Sequence, residues 1–450
     1  MSTVIQEAFE AAPTPRSSTT TAEDPTSTLL RPMAPPSWRT GVLVIAATAG
    51  LFWFASAWAF QLRHGLVVTG LGDWGTGHGV TWGFYVGSFI WWVGIAHGGI
   101  IVSAAVRLFG LDSLKPVARL AELLTLAALA VAGLYIILHV GRPERIVTSI
   151  LPNLPDRIGS SPLAWDVTVI TLYFTMTATY VLLTIRHDLY SLRDRLPKRL
   201  SPLYRAVLVG HQPGEREKVE RMAWWLALAV IIIAPLFLHG GVIPWLFALL
   251  PGTPGWFGPI QGPQFLAAAL TSALGGVTLL AAIFRRAYRW EELIDDRVFV
   301  TLSRWMGLFA LLYLWLQLQQ VVTGSAMAPE AVRDSVAAKT SAPLYWLALA
   351  LLGAAVVHAG VQALSPRHFS VRRTTLVAGL PVVAILIEKT LFVVEGTLHP
   401  AFTLYHEMKA TYTPSWVELS SLVGAAAIVT LFFVAASRIV PLMEIEEVGP

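Results

Sequence analysis

Apolar residues run through this chain in long blocks, separated by short polar connections and without the alternation of strands. A membrane-spanning helix needs about 20 mostly apolar residues. Ten blocks meet that length: 39–62, 80–107, 114–139, 161–185, 221–239, 262–284, 298–323, 342–363, 373–396 and 415–438. The pattern predicts an all-α integral membrane protein of about ten transmembrane helices, since helices satisfy their own backbone groups in lipid. The stretch HGGVIPWLFALLPGTPGWFGPIQGP (239–263) is apolar but dense in Gly and Pro. It is predicted as an interfacial or re-entrant segment rather than an eleventh span. No strict repeat is visible, yet spans two to five (80–239) and six to nine (262–396) suit two four-helix bundles, with spans one and ten peripheral. The first 37 residues are rich in Pro, Ser and Thr and lack an apolar core. They read as a disordered tail and not as a signal peptide, and residues 441–450 read as a second short tail.

Composition strengthens the membrane reading. The chain of 450 residues is 55% hydrophobic and 13% charged, with 17 tryptophans, whereas soluble domains carry roughly 25% charged residues. The net charge of +4 sits in short loops, not in an aromatic-interleaved patch, so it gives topology rather than nucleic-acid affinity. One set of loops, with both termini and the connections after spans two, four, six and eight, holds 24 Arg and Lys; the other, counting Lys389, holds 8. The positive-inside rule places the richer set and both termini in the cytoplasm. The chain has no cysteine, which excludes disulfides, thiolate iron–sulfur ligation and thioether haem attachment within it.

Ionisable groups inside spans are costly and are candidates for function. They are His97, Glu122, His139, Asp166, His239, His358, Glu388, Lys389 and Glu395. His139 closes span three and Asp166 lies about one turn into span four, at the same external depth across a polar connection. Tyr173, seven residues after Asp166, lies on the same helical face, two turns deeper. The bland alternative is a clamp, with Asp166 paired to Arg142 or Arg145 and His139 capping a helix C-terminus. His97 sits among Gly87, Ser88, Gly94, Gly98, Gly99 and Ser103, small residues suited to close helix packing. Glu388 and Lys389 are adjacent, so their side chains are expected to diverge by roughly 100° and to seek partners on other helices. Glu395 shares the Glu388 face. A row of carboxylates conducting protons is the functional reading of that span. No span carries two histidines. His139 and His239 are expected at external ends and His97 and His358 deeper on distant spans, which does not suit bis-histidine haem. Metal-ligand spacings and a phosphate loop are absent from the sequence.

Three ordered stretches, WGFYVGSFIWWVGIAHGG, LHVGRP and SPLAWDVTVITLYFT, resemble the NrfD/PsrC family of quinone-reactive membrane subunits. Within it they resemble most the ActC subunit of bacterial alternative complex III, which shares the ten-span layout. The likeness is dense over about 80–190, looser at PGTPGWFGPIQGPQF and weak at the ends. One departure is LHGGVIPW, where a His-Ser/Thr pattern is expected. The resemblance implies oxidation of menaquinol at the external face of a bacterial inner membrane. Electrons would pass to an external iron–sulfur subunit related to molybdopterin enzymes and on to c-type cytochrome subunits, beside a second NrfD-like membrane subunit. It implies no metal or haem in this chain. The site residues it implies are His139 and Asp166 with Arg142 beside them, and it brings His97 into a proton path; Tyr173 joins the quinol site on the helical face it shares with Asp166. Glu122, Glu388, Lys389 and Glu395 join that path on their intramembrane cost. A quinol loses two electrons and two protons, and a histidine and a carboxylate supply two proton acceptors. The rivals are the anchor of a polysulfide- or sulfur-type reductase, and a proton or solute transporter built on broken helices.

Overall fold

The computed structural model describes residues 25–72, 80–211, 215–326, 328–399 and 411–444. The described residues are helical, with no strand among them. The long helices are α1 (Trp38–His64), α2 (Phe84–Phe109), α3 (Lys115–Val140), α4 (Pro162–Ser191), α5 (Arg216–Ile232), α6 (Gln261–Tyr288), α7 (Asp296–Ala326), α8 (Pro343–Leu364), α9 (Val371–Leu398) and α10 (Trp416–Ile439). Nine of these, all but α5, are long and apolar enough by themselves to cross a bilayer among the described residues. The chain is an all-α integral membrane protein.

The fifth expected span is longer than its apolar block. From α5 the chain passes through a wide π-helical stretch, Ile233–Val242, and on into a helix Ile243–Ala248. Pro235 and Pro244 each lack the backbone N–H of a regular ladder, and Gly240 and Gly241 lie between them. Widened turns arise where such a ladder fails. The Gly/Pro segment is therefore helical as far as Ala248, and only 249–260 is turn and loop.

Local chemistry sets the helix ends. Ser37 caps α1 by accepting from the Thr40 N–H, and Ser415 and Glu418 form a reciprocal capping box at α10, which satisfies donors that no helix can satisfy internally. Gly110, at φ 66°, stops α2 in the left-handed conformation that glycine adopts without strain. Pro162 and Pro343 occupy first helical turns, where the missing N–H costs nothing.

Packing follows the order of the chain. α2 lies against α3, α5, α6 and α9; α4 lies against α3 and α5; α6, α7, α8 and α9 form a second group; α1 and α10 pair beside α3. The small residues of α2 do what their size allows. A Cβ on Gly87 would lie 2.7 Å from the Thr390 Cα, and one on Gly99 2.5 Å from the Ala121 carbonyl oxygen. The end of the expected N-terminal tail is ordered. Residues 25–33 form a short helix and a 3-10 turn. Arg31 there donates to the Tyr288 and Arg289 carbonyls, and buried Trp290 donates to the Thr28 carbonyl. The remainder of that tail (1–24) and residues 445–450 lie outside the described residues.

Candidate functional site

At mid-depth three helices bring aromatic and imidazole groups together. His97, from the middle of α2, is fully buried and bonds through Nδ1 to the Val93 carbonyl at 2.7 Å. Its ring meets that of His239, edge to face, at 4.4 Å between centroids, and that of Tyr173 at 5.8 Å. Tyr173 donates to the Ala96 carbonyl at 2.9 Å, as does Thr125 at 2.6 Å. The apolar pattern places His239 at the external end of span five. The helical continuation to Ala248 instead carries it into the interior, where its Nδ1 is buried without a hydrogen-bond partner.

His139 and Asp166 lie at one end of packed neighbours, one residue before the end of α3 and in the second turn of α4. Asp166 is 1% exposed and its Oδ1 has no hydrogen-bond partner; the same holds for the buried Nδ1 of His139. Among the described residues no hydrogen bond or ion pair joins the two. The wall beside Asp166 is aromatic, with Trp165 edge-on to Trp245 at 6.3 Å. Behind His139, Gln61 of α1 donates to the Leu138 carbonyl at 2.9 Å and accepts from Tyr85 at 2.6 Å. Arg142 is exposed, and neither it nor Arg145 makes an ion pair among the described residues. Gly141, at φ 72°, ends α3, and the π turn Ile146–Ile150 and helix Leu154–Arg157 that follow bury no residue. Among the described residues Asp166 forms no ion pair with a cation.

The ion pairs of the second group are denser than expected. Glu388 and Lys389, both fully buried, do pair, with Nζ 3.1 Å from Oε2. The angular argument treats side chains as radial spokes, and the lysine stem is long enough to fold back. Lys389 also lies over the rings of Phe265, Tyr313 and Phe392 at 4.1, 5.3 and 5.4 Å, a favourable cation–π setting in a dry site. The other oxygen of Glu388 receives Lys339 at 3.2 Å and Gln317 at 3.1 Å. Lys339 reaches in from a short helix, Glu330–Ser341, and also donates to Gln317 and Gln320. Phe265 lies between this cluster and the mid-depth pair, its ring 6.4 Å from that of His239. Glu395 stands apart, paired with His399 at 3.3 Å near the end of α9. His358 bonds Gln362 and lies 3.3 Å from Thr374, away from the other histidines.

Glu122 belongs to a third cluster, at the face where α2 ends and α3 begins. Ser103 donates to its Oε1 at 2.5 Å. Arg119, 0% exposed, lies 3.4 Å from its Oε2 and 2.9 Å from Asp188. Arg107 bonds Tyr180 and pairs with Glu444 at 2.6 Å. The sequence pattern does not single out Lys339, Gln317, Arg119, Asp188 or Gln61. Arg119 carries a signal, a charge inside a predicted span. Lys339 looks like a loop residue, because its helix is polar and short.

No group of three or more potential metal ligands occurs among the described residues. The model of the family described as polysulphide reductase, NrfD, matches residues 74–401. A membrane protein of Halobacterium salinarum, named for the membrane component of a dimethyl sulfoxide reductase, is 33% identical over 60% of this chain and 56% of its own length. A selenate reductase component of Mesobacillus selenatarsenatis is 22% identical over 52% and 55%. The chain thus spans about half the length of these two relatives. The Hdr-like menaquinol oxidoreductase integral membrane subunit of Archaeoglobus fulgidus is 23% identical over 90% of this chain and 95% of its own.

Proposed function

Because this chain belongs to the NrfD family, we propose that it is the menaquinol-oxidising membrane subunit of a multi-subunit oxidoreductase of the alternative complex III type. The observation that carries this is the pair of buried, unpartnered proton acceptors, His139 Nδ1 and Asp166 Oδ1, at one end of adjacent helices. Each is a buried polar atom left without a hydrogen-bond partner at a helix end, and a two-proton donor satisfies both. Menaquinol enters between α3 and α4, its tail along their apolar faces. His139 and Asp166 each take one hydroxyl proton, and the quinone leaves after two electrons pass out of the chain. The electrons go to an external iron–sulfur subunit of molybdopterin-enzyme type and then to c-type cytochromes, beside a second NrfD-like membrane subunit. Arg142, exposed at the same end, faces that partner rather than the quinol. Tyr173, His97 and His239 continue inward from the site. Together with Glu122, Glu388, Lys389, Lys339 and Glu395 they form the groups available to proton movement. The protein sits in a bacterial inner membrane with both chain ends in the cytoplasm and the quinol site facing outward, an orientation that the distribution of basic residues supports.

The names of two relatives favour a second reading, in which the same pocket supplies electrons to a terminal reductase. Purification of the native assembly separates the two. Alternative complex III brings c-type haem absorption with the chain. A molybdopterin reductase without haem c would replace the first reading by the second, and a chain that purifies alone would remove both.

A further inference from the structure

Gln61, near the end of α1, is 1% exposed and uses both ends of its amide. Its Nε2 donates to the Leu138 carbonyl at 2.9 Å, and its Oε1 accepts from the Tyr85 hydroxyl at 2.6 Å. A carbonyl can only accept, so the amide has a single orientation here. Leu138 is among the last residues of α3, whose carbonyls find no N–H within the helix. Its carbonyl also belongs to the planar peptide unit that contains the His139 nitrogen. Anchoring it therefore fixes the plane from which the His139 side chain departs. Two neighbours brace the same end of α3. Tyr135, one turn before His139 on the same helical face, bonds Ser421 of α10 at 3.0 Å. The 3-10 turn Leu66–Val68 that follows α1 lies against Gly141, where a Cβ would fall 3.0 Å from Leu66 Cγ. α1 itself precedes the family segment, residues 74–401.

We propose that Gln61 is a positioning residue for His139: it stands in for the missing N–H at the end of α3 and, held in turn by Tyr85, sets the direction in which the imidazole meets a quinol hydroxyl. This inference rests on the reading of His139 as a proton acceptor. A working histidine is usually oriented by a hydrogen bond on its second ring nitrogen. The Nδ1 of His139 is buried without such a partner, so the orientation of the ring falls to the backbone that carries it. Gln61 holds that backbone from a helix that adds nothing else polar to the end of α3 among the bonds described. It bonds the main chain and not the quinol. Its loss therefore slows proton transfer without weakening quinol binding, and a 1 Å misplacement of a reacting group can cost about 10²-fold in rate.

The test uses the intact assembly purified in lipid nanodiscs, with menaquinol oxidation measured for Gln61→Met, which keeps the length of the side chain and removes both bonds. The expected result is a kcat lower by about tenfold or more, a KM within a few-fold of wild type and a normal yield of assembly. In a His139→Gln background the same change should cost nothing further, because residues that act through one group are not additive. Gly424→Ala is the packing control: its Cβ would run into the Phe54 ring and loosen α10 against α1, with the Leu138 bond left in place. It should lower the melting temperature and leave turnover per assembled complex unchanged. Wild-type turnover in Gln61→Met, losses that multiply in the double variant, or an equal loss of turnover in Gly424→Ala each overturn the positioning role. Should Gln61→Met fail to assemble because the Tyr85 hydroxyl is stranded, adding Tyr85→Phe removes that hydroxyl and carries the same expectation. A His139→Gln chain with wild-type turnover overturns the reading of His139 itself and this inference with it, whereas a slow His139→Gln beside a normal Gln61→Met overturns the positioning role alone.

Discussion

Substitution of Asp166 by Asn probes the candidate site with little change of shape. The structure sets the size of the effect. Asp166 is 1% exposed and has no cation within ion-pairing distance among the described residues. Loss of its charge therefore strands no buried arginine, and the roughly 3–5 kcal/mol penalty for breaking a buried ion pair does not arise. An amide in an apolar wall is easier to bury than a carboxylate, so assembly and thermal stability should stay at or slightly above the wild-type level. What the amide cannot do is accept a phenolic proton. Loss of a general base costs about 10²–10⁴ in rate, which corresponds to about 2.7–5.4 kcal/mol in the barrier. The assay is steady-state menaquinol oxidation by the purified assembly, with yield and melting measured on the same preparation. A variant that assembles normally and turns over within a few-fold of wild type would refute the reasoning. Poor yield with normal turnover per assembled complex would also refute it, and would restore a purely structural Asp166.

Three further outcomes follow from the geometry. Glu388→Gln leaves Lys339 and Lys389 facing each other without a carboxylate, and should lower stability by about 3–5 kcal/mol, read as a fall in melting temperature of the assembly; an unchanged melting temperature contradicts the buried triad. Tyr173→Phe removes one buried hydrogen bond to the Ala96 carbonyl and should cost about 1 kcal/mol with a far smaller loss of turnover than Asp166→Asn; equal losses would place Tyr173 in the reacting set. Gly99→Ala places a Cβ 2.5 Å from the Ala121 oxygen, so α2 and α3 must separate, at a cost of about 1–3 kcal/mol or more; normal yield and melting of that variant would contradict the close approach.

Much of the fold is legible in the sequence because its dominant rule is simple. A run of about 20 apolar residues in lipid is a helix, and the ten predicted runs correspond to α1–α10. The rule fails where a helix departs from regular geometry. The block 221–239 ends at His239 in the apolar pattern, because Gly and Pro follow it, whereas the helix widens through 233–242 and continues to Ala248. That difference moves His239 from a surface to the contact with His97. Pairings between distant residues are less legible still. Nothing near Lys339 in the sequence points to Glu388, and Arg119 meets Asp188 across two helices. His139 and Asp166 are visible because each is a costly residue at the end of an apolar run. That neither Arg142 nor Arg145 forms an ion pair among the described residues is not, since that depends on the path of the chain beyond Gly141.

The central claim is that the ends of α3 and α4 hold a quinol headgroup between His139 and Asp166. A structure of the purified assembly with menaquinone or a tight headgroup analogue bound tests this most directly. The account predicts headgroup oxygens at hydrogen-bond distance, about 2.6–3.2 Å, from an imidazole nitrogen of His139 and a carboxylate oxygen of Asp166. A headgroup bound elsewhere, with both of these side chains facing lipid or protein alone, would contradict it.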